Sequence, residues 1–248
     1  MTRYPRPSSL SYSFGPGPMT PAVKWIIWAN IGAFVATVAY RDLIYVLGLT
    51  PADVIQRLWL WQPVTYMFVH AGPTHILFNM LGVWMFGVEL ERMWGTRFFL
   101  RYYAITGVGA AITTIVVGLL PFAVTAPTYG TVTVGASGAL FGILLAFALY
   151  FPERPILMAL LFPIPAKYFV IIIGGISLLS SMSGPGGGIA HTTHLGGLLA
   201  GYLYLKGGRT HLLSEIKYRY LKWRINRMRK RFDVYSGGRA DDVNRRVH

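Results

Sequence analysis

The hydrophobic positions of the chain fall into six apolar runs, each long enough or nearly long enough to cross a lipid bilayer. A membrane-spanning helix needs about 20 mostly apolar residues, with a range near 17–25. Charged residues lie mainly in the connections between the runs. The pattern therefore predicts an all-α membrane protein with six transmembrane helices. The runs occupy roughly residues 22–40, 73–90, 98–122, 135–151, 166–182 and 189–205.

The connection between the first two runs, residues 41–72, is too apolar for a free loop. It is rich in Leu, Trp, Val and Tyr, but Asp53, Arg57 and Pro63 interrupt its apolar stretches. These interruptions disfavour a seventh span. We expect a structure partly embedded in the outer leaflet, with its aromatic rings at headgroup depth.

Composition supports a lipid environment and excludes several kinds of chemistry. Hydrophobic residues make up 54% of the 248 residues and charged residues 13%, whereas soluble domains carry about a quarter charged residues. The chain contains no cysteine. Disulfide bonds, a thiol nucleophile and a Cys-ligated metal are therefore excluded.

The positive charge is concentrated near the C-terminus. Of the 23 Lys and Arg residues, 13 lie from Lys206 onward, and the formal net charge is +14. Nucleic acid is one partner for such a tail, but in a membrane protein anionic lipid headgroups fit better. We predict no nucleic-acid partner. Both basic termini are expected in the cytoplasm, and the predicted units are a polar tail (1–21), a membrane domain (22–206) and a basic tail (207–248).

Ser137 is the first candidate for chemistry, because polar side chains inside a span are costly and often functional. It lies between Gly135-Ala136 and Gly138 at the start of the fourth run. A serine in a membrane helix is more often a packing residue than a nucleophile. The small neighbours, however, leave room for a substrate backbone close to the hydroxyl.

His194 begins the sixth run and precedes two glycines four residues apart, Gly197 and Gly201. A similar glycine pair follows Ser137. Such small residues let helix backbones pack closely, which would bring Ser137 and His194 to the same height. A histidine there would be the general base that a serine hydroxyl requires. The alternative is a histidine that only caps its helix at the membrane interface.

His75 and Asn79 lie four residues apart in the second run, so about 40° separates them around a helix axis. Both can donate hydrogen bonds to a developing oxyanion. A structural His–Asn pair that ties two helices together is the alternative.

A metal site is a weaker interpretation. Four histidines, His70, His75, His191 and His194, could in principle bind zinc. All nine acidic residues fall in loops, in tails or at the edges of spans, and no His-Glu-x-x-His motif occurs. A metalloprotease and a proton-coupled transporter therefore fit poorly, and no metal or cofactor is predicted.

Three blocks, taken in order along the chain, resemble the rhomboid family of intramembrane serine proteases. They are HAGPTHILFNM at 70–80, GASG at 135–138, and AHTTHLGG at 190–197 with Gly201. The resemblance covers roughly residues 22–206. It implies a rhomboid-like six-helix bundle of prokaryotic type in a cell (inner) membrane, with a partly embedded loop between helices 1 and 2.

The resemblance also implies roles for single residues. Ser137 would attack the peptide carbonyl and His194 would take its proton, as a dyad without an aspartate. His75, Asn79 and the Ser137 N–H would stabilise the oxyanion, in a pocket shaped by Gly135. Supporting positions line the cavity, pack against the base or bring the helices together: His70, His191, Phe141, Gly138, Gly197 and Gly201.

Two features of the family pattern lie outside these blocks. Gln62 follows Trp61 where the family often has Arg, so a neutral amide stands in this loop in place of a cation. Glu91, Gly95 and Arg97 match a common pattern to which we assign a structural role.

The resemblance implies an endopeptidase that cuts peptide bonds in or near transmembrane segments of membrane proteins. The glycine-rich connection 183–188 is expected to cap the site, and the fifth helix to gate lateral entry. A catalytically silent relative that binds transmembrane helices is the alternative, and a channel or transporter is a third interpretation.

Overall fold

The computed structural model describes residues 15–122, 125–158, 162–182, 188–207 and Lys222. The chain divides into two units, Met1–Leu205 and Lys206–His248. The fold below is that of the first unit; of the second, the structure describes Lys206, Gly207 and Lys222. Most of the predicted cap connection and of the basic tail lies outside the described residues.

The described part of the first unit is mainly helical, with one short hairpin. Long helices alternate with short ones, and a single 3-10 turn, Tyr66–Phe68, follows the fourth helix. In chain order the elements are α1 (Pro21–Ala39), α2 (Leu43–Leu47), α3 (Pro51–Gln56), α4 (Gln62–Thr65), α5 (Pro73–Trp94), α6 (Thr96–Gly118), α7 (Ala126–Gly130), α8 (Ser137–Tyr150), β1 (Pro155–Met158), β2 (Phe162–Pro165), α9 (Ala166–Met182) and α10 (Gly188–Gly207).

Two of these helices, α1 and α6, have the length and the mean hydropathy expected of membrane spans. Among the described residues, α8 and the Ala166–Ser180 part of α9 are apolar but shorter. The predicted helical class is thus confirmed. The count of six transmembrane helices stays a prediction.

Helix α8 begins two residues later than the sequence pattern suggested. Gly135 has φ +118°, which a helix does not allow and which side-chain-bearing residues rarely adopt. The helix therefore starts after Gly135 and has only 14 residues. As a result Ser137 is its first residue.

The connection between α1 and α5 is built from short helices rather than a free loop. Pro51 and Pro63 lie in the first turns of α3 and α4, where proline costs no hydrogen bond. Gln62 is fully buried. Its Oε1 accepts the Thr50 N–H at 2.9 Å, and its Nε2 donates to the Tyr45 carbonyl at 3.2 Å. A neutral amide thus joins two parts of the connection at the position where the family often has arginine.

The connection between α8 and α9 contains a feature that the apolar pattern did not predict. Strands β1 and β2 pair antiparallel, with Ile156 opposite Ile164. Arg154 forms an ion pair with Glu89 of α5 at 2.6 Å, and Lys167 contacts Glu153 at 2.5 Å. These ion pairs join the hairpin region to its neighbours.

The N-terminus of α1 is capped by a carboxylate from a distant helix. Glu91 of α5 accepts the backbone N–H groups of Ala22 and Val23 at 2.9 and 3.0 Å, and it contacts the Thr20 hydroxyl. The Thr96 hydroxyl donates to it at 2.7 Å. A negative charge is favourable there because the first N–H groups of a helix are unpaired and its dipole is positive. Glu91 thus fixes the start of α1, the structural role assigned from the sequence pattern.

Candidate active site

Ser137 and His194 meet where the N-terminus of α8 crosses α10. The His194 Nε2 lies 2.8 Å from the Ser137 Oγ, within hydrogen-bonding distance. The helices approach closely because they touch through glycines. A Cβ added at Gly197 would lie 1.9 Å from the Gly138 carbonyl oxygen, and one at Gly201 would lie 3.3 Å from the Gly142 Cα. The predicted small-residue ridges therefore pack against each other.

The ring of His194 is held by aromatic contacts. Phe141, one turn after Ser137, stacks on it with centroids 4.1 Å apart and an interplanar angle of 7°. His191 packs edge-on against the same ring at 5.7 Å. Within the described part of the chain, the buried His194 Nδ1 has no hydrogen-bond partner. Stacking therefore orients this histidine where many serine hydrolases use a carboxylate.

His75, Asn79 and Gly135 come together on the opposite wall. A Cβ on Gly135 would lie 2.7 Å from His75 Nε2, so His75 needs the glycine there, whereas the same Cβ would be in ordinary contact with Asn79 Nδ2 at 3.8 Å. The Ala71 N–H donates to His75 Nδ1 at 3.4 Å, which leaves the proton of the neutral ring on Nε2. Asn79 uses one amide hydrogen on the His75 carbonyl at 2.9 Å and keeps a second.

The two walls enclose a pocket of about 420 Å³. Its lining combines apolar side chains with the four polar groups described above. The Ser137 N–H lies at the first residue of α8, where backbone N–H groups have no partner within the helix and the dipole is positive. The lining residues are Thr74, His75, Phe78, Asn79, Val134, Ser137, Leu140, Phe141 and His194.

His70 lies behind His75 rather than in the pocket lining. It is buried, and its ring meets that of His75 edge-on with centroids 5.0 Å apart. Burial lowers the pKa of His70 to about 4, and a charge on His75 acts in the same direction. His70 is therefore neutral near pH 7. Its uncharged ring packs against His75.

Comparison with known proteins identifies the family of the chain. The rhomboid domain family matches residues 57–209, which is more than half of the chain. The chain belongs to the rhomboid family. Among its relatives, the rhomboid-type protein YdcA of Bacillus subtilis (strain 168) is 33% identical over 187 residues, which cover 73% of this chain and 81% of YdcA.

Two further relatives bear the name rhomboid protease. GlpG of Haemophilus influenzae is 30% identical over 165 residues, covering 66% of this chain and 77% of GlpG. GluP of Bacillus subtilis (strain 168) is 32% identical over 149 residues, covering 60% of this chain. The match spans only 26% of GluP, so this rhomboid chain corresponds to about a quarter of that longer protein.

Metal ligands do not converge in the described part of this rhomboid. Within residues 15–122, 125–158, 162–182 and 188–207, no group of three or more His, Cys, Asp or Glu side chains could hold an ion. The four histidines instead form two edge-on pairs, His70–His75 and His191–His194.

Tyr66 is a residue of the rhomboid site that the sequence analysis missed. Its side chain is fully buried. Its carbonyl accepts the Gly135 N–H at 2.9 Å, and its phenol donates to the Gly107 carbonyl of α6 at 2.7 Å. Tyr66 thus fixes the segment before Ser137 to α6. The only signal in the sequence was a tyrosine in an apolar connection, four residues before His70.

Proposed function

We propose that this rhomboid is an intramembrane serine endopeptidase that hydrolyses peptide bonds in or near transmembrane segments of membrane proteins. The observation that carries the proposal is the 2.8 Å contact between Ser137 Oγ and His194 Nε2. It lies in a pocket whose other wall presents His75 and Asn79. A serine hydroxyl is a weak nucleophile unless an adjacent base takes its proton.

The reaction follows from these positions. Ser137 Oγ attacks the substrate carbonyl carbon while His194 Nε2 accepts the hydroxyl proton. The oxyanion of the tetrahedral intermediate is stabilised by the Ser137 N–H, the Nε2–H of His75 and the second amide hydrogen of Asn79. His194 then protonates the leaving amine, and a water molecule activated by the same base hydrolyses the acyl-enzyme.

The length of α8 supports a site below the membrane surface. Its 14 residues span about 21 Å at about 1.5 Å per residue, whereas the hydrocarbon core is about 30 Å thick. If Tyr150 lies at the inner boundary, Ser137 lies about 9 Å below the outer boundary. We place the path of the water along the polar groups of the pocket, His75, Asn79 and Ser137.

The depth of Ser137 in the membrane determines which conformation the substrate must adopt. A helix hides its carbonyls in its own hydrogen bonds, so the segment to be cut must unwind where it meets Ser137. We place six transmembrane helices, α1, α5, α6, α8, α9 and α10, around the site, with α9 as the element that admits the substrate. Both termini lie in the cytoplasm of a cell whose inner membrane holds the protein, and the basic tail contacts anionic headgroups.

The test is cleavage of a single-span substrate by the full chain in proteoliposomes. We expect Ser137→Ala and His194→Ala each to lower kcat by about 10⁶-fold, because the pair acts as a unit. Asn79→Ala should cost about 10²- to 10³-fold as one oxyanion donor. Ser177→Ala is the matched control, since Ser177 is a buried serine of α9, and it should retain activity.

A catalytically silent rhomboid would give a different result. Labelling by a serine-reactive fluorophosphonate should appear in the wild-type chain and disappear in Ser137→Ala. A wild-type chain that binds transmembrane helices without labelling or cleaving would contradict the proposal, as would unchanged cleavage by Ser137→Ala.

A further inference from the structure

An apolar groove runs along the outer face of α6 and α10, away from the catalytic pocket. Its volume is about 570 Å³. The groove exists because the two helices cross through small residues: a Cβ on Gly109 would lie 2.4 Å from the Ala200 Cβ. Larger side chains on either side form its walls: Ile105, Val108 and Ile112 of α6, with Leu203 and Tyr204 of α10.

The two helices run antiparallel, which locates the ends of the groove. Ala200 lies against Gly109, whereas Tyr204 packs against Phe98 and Tyr102, with ring centroids 5.8 and 6.0 Å apart. One end of the groove is therefore the end at which α6 begins.

Two arginines lie at that same end. Arg97 and Arg101 are exposed, and neither forms an ion pair within the part of the chain that the structure describes. At about 100° per residue, Arg97, Arg101 and Val108 fall within about 40° of one another around α6. Both cations therefore share the face that lines the groove.

The other described arginines are placed differently. Arg57 pairs with Asp53, Arg154 pairs with Glu89, and Arg92 donates to the carbonyls of Pro16 and Pro18. Arg41 is exposed at the end of α1 and does not border this groove. Among the described arginines, Arg97 and Arg101 are thus the two that form no ion pair and lie on the face that lines this groove.

We propose that this groove binds one anionic phospholipid, with an acyl chain between α6 and α10 and its phosphate group at Arg97 and Arg101. The fit is by length as well as by charge. From Arg101 to Ile112 the helix rises about 16 Å, comparable to half of a hydrocarbon core of about 30 Å. An anionic headgroup at the arginines then places the acyl chain along the apolar walls within one leaflet.

The test uses the full chain in phosphatidylcholine nanodiscs that contain a trace of photoreactive lipid. One arm carries phosphatidylglycerol with a diazirine in its acyl chain, and the other carries phosphatidylcholine with the same chains. Crosslinked peptides are mapped by mass spectrometry, which separates the groove from lipid held by the basic tail. We expect α6 and α10 peptides to be labelled preferentially by phosphatidylglycerol.

Substitutions distinguish the contribution of the lipid headgroup to binding from that of the acyl chain. Arg97→Gln and Arg101→Gln should each lower the phosphatidylglycerol labelling of these peptides about five-fold, the contribution of one basic side chain beside anionic lipid. Labelling by phosphatidylcholine should not change. Ala104→Phe, which narrows the groove, should lower labelling by both lipids. Arg41→Gln removes the same charge elsewhere and is the matched control.

Three results would overturn the proposal: equal labelling by both lipids, a preference that survives both arginine substitutions, or no labelling of α6 and α10 peptides by either lipid. The single substitutions change exposed side chains, so the test does not depend on a variant that fails to fold. The lipid site and the proposed protease activity have one premise in common, namely that the protein lies in a membrane. Because lipid labelling does not require proteolysis, an inactive chain with a filled groove and an active chain with an empty one are distinguishable.

Discussion

The helices that carry the dyad and the region around α9 are held together by different kinds of contact. Between α8 and α10, a Cβ on Gly197 would meet the Gly138 carbonyl oxygen at 1.9 Å. In α9, by contrast, a Cβ on Gly175 would meet nothing within 4 Å. Two backbones in direct contact cannot move apart to accept an added methyl group, whereas a position that faces open space can accept one. Ser137 and His194 thus lie at the less adjustable of the two contacts.

Hydrogen bonds follow the same division. The Tyr102 phenol of α6 donates to the Gly142 carbonyl of α8 at 2.7 Å, and the buried hydroxyls of Thr114 and Thr193 join α6 to α10 at 2.7 Å. The hairpin before α9 instead relies on Arg154 and Glu89, whose side chains are 52% and 20% exposed. Exposed ion pairs contribute little to stability. We therefore expect substitutions at the crossing of α8 and α10 to lower stability more than substitutions in the region around α9.

Gly197→Ala should have the largest effect, because it breaks the crossing itself. The added methyl group meets a backbone oxygen that cannot move alone, so we expect a loss of about 3 kcal/mol in the free energy of unfolding, the upper end of what overpacking costs. Gly175→Ala should change it by less than about 1 kcal/mol. Thermal unfolding in detergent micelles measures both. Equal effects would refute the division between the two regions.

Phe141→Ala should have the next largest effect, and on kcat rather than on stability. Removing the stacked ring frees His194 to rotate away from Ser137, and misplacement of a catalytic group by about 1 Å costs on the order of 10²-fold. Phe141→Tyr retains the ring and should recover most of the rate. Cleavage of the single-span substrate is the measurement, and loss of rate in both variants would contradict a role in stacking.

Arg154→Gln should have the smallest effect. The ion pair with Glu89 is exposed, so its loss should cost less than about 1 kcal/mol of unfolding free energy. Thermal unfolding again measures it, with Arg57→Gln, from an exposed pair within one helix, as control. A cost approaching that of Gly197→Ala would show that the hairpin is anchored as firmly as the dyad helices.

The apolar periodicity and three short blocks were enough to predict which side chains meet. Ser137 and His194 are 57 residues apart in sequence, but the glycines after each of them predict a close crossing. His75, Asn79 and Gly135 belong to the same blocks, and the structure places them on one wall of the pocket, where His75 leaves no room for a Cβ on Gly135. Their catalytic roles stay predictions until the substitutions are measured.

Other contacts carry no periodic signal and could not be predicted. Gln62 bonds to backbone groups of Thr50 and Tyr45, which any residue type could supply. Tyr66 acts through its own carbonyl and through that of Gly107. The β1–β2 hairpin is built from short apolar runs, which fit a strand and a buried helix equally well. In each case, tertiary backbone contacts rather than local pattern decide the structure.

The carboxylate cap on α1 has a consequence for the order in which the protein is made. Glu91 is 69 residues downstream of Ala22, whose N–H it accepts. At a synthesis rate of about 5–20 residues per second, it is made roughly 3 to 14 s after the start of α1. The first helix is therefore made before its carboxylate cap exists, and these contacts can form only after Glu91 of α5 has been translated.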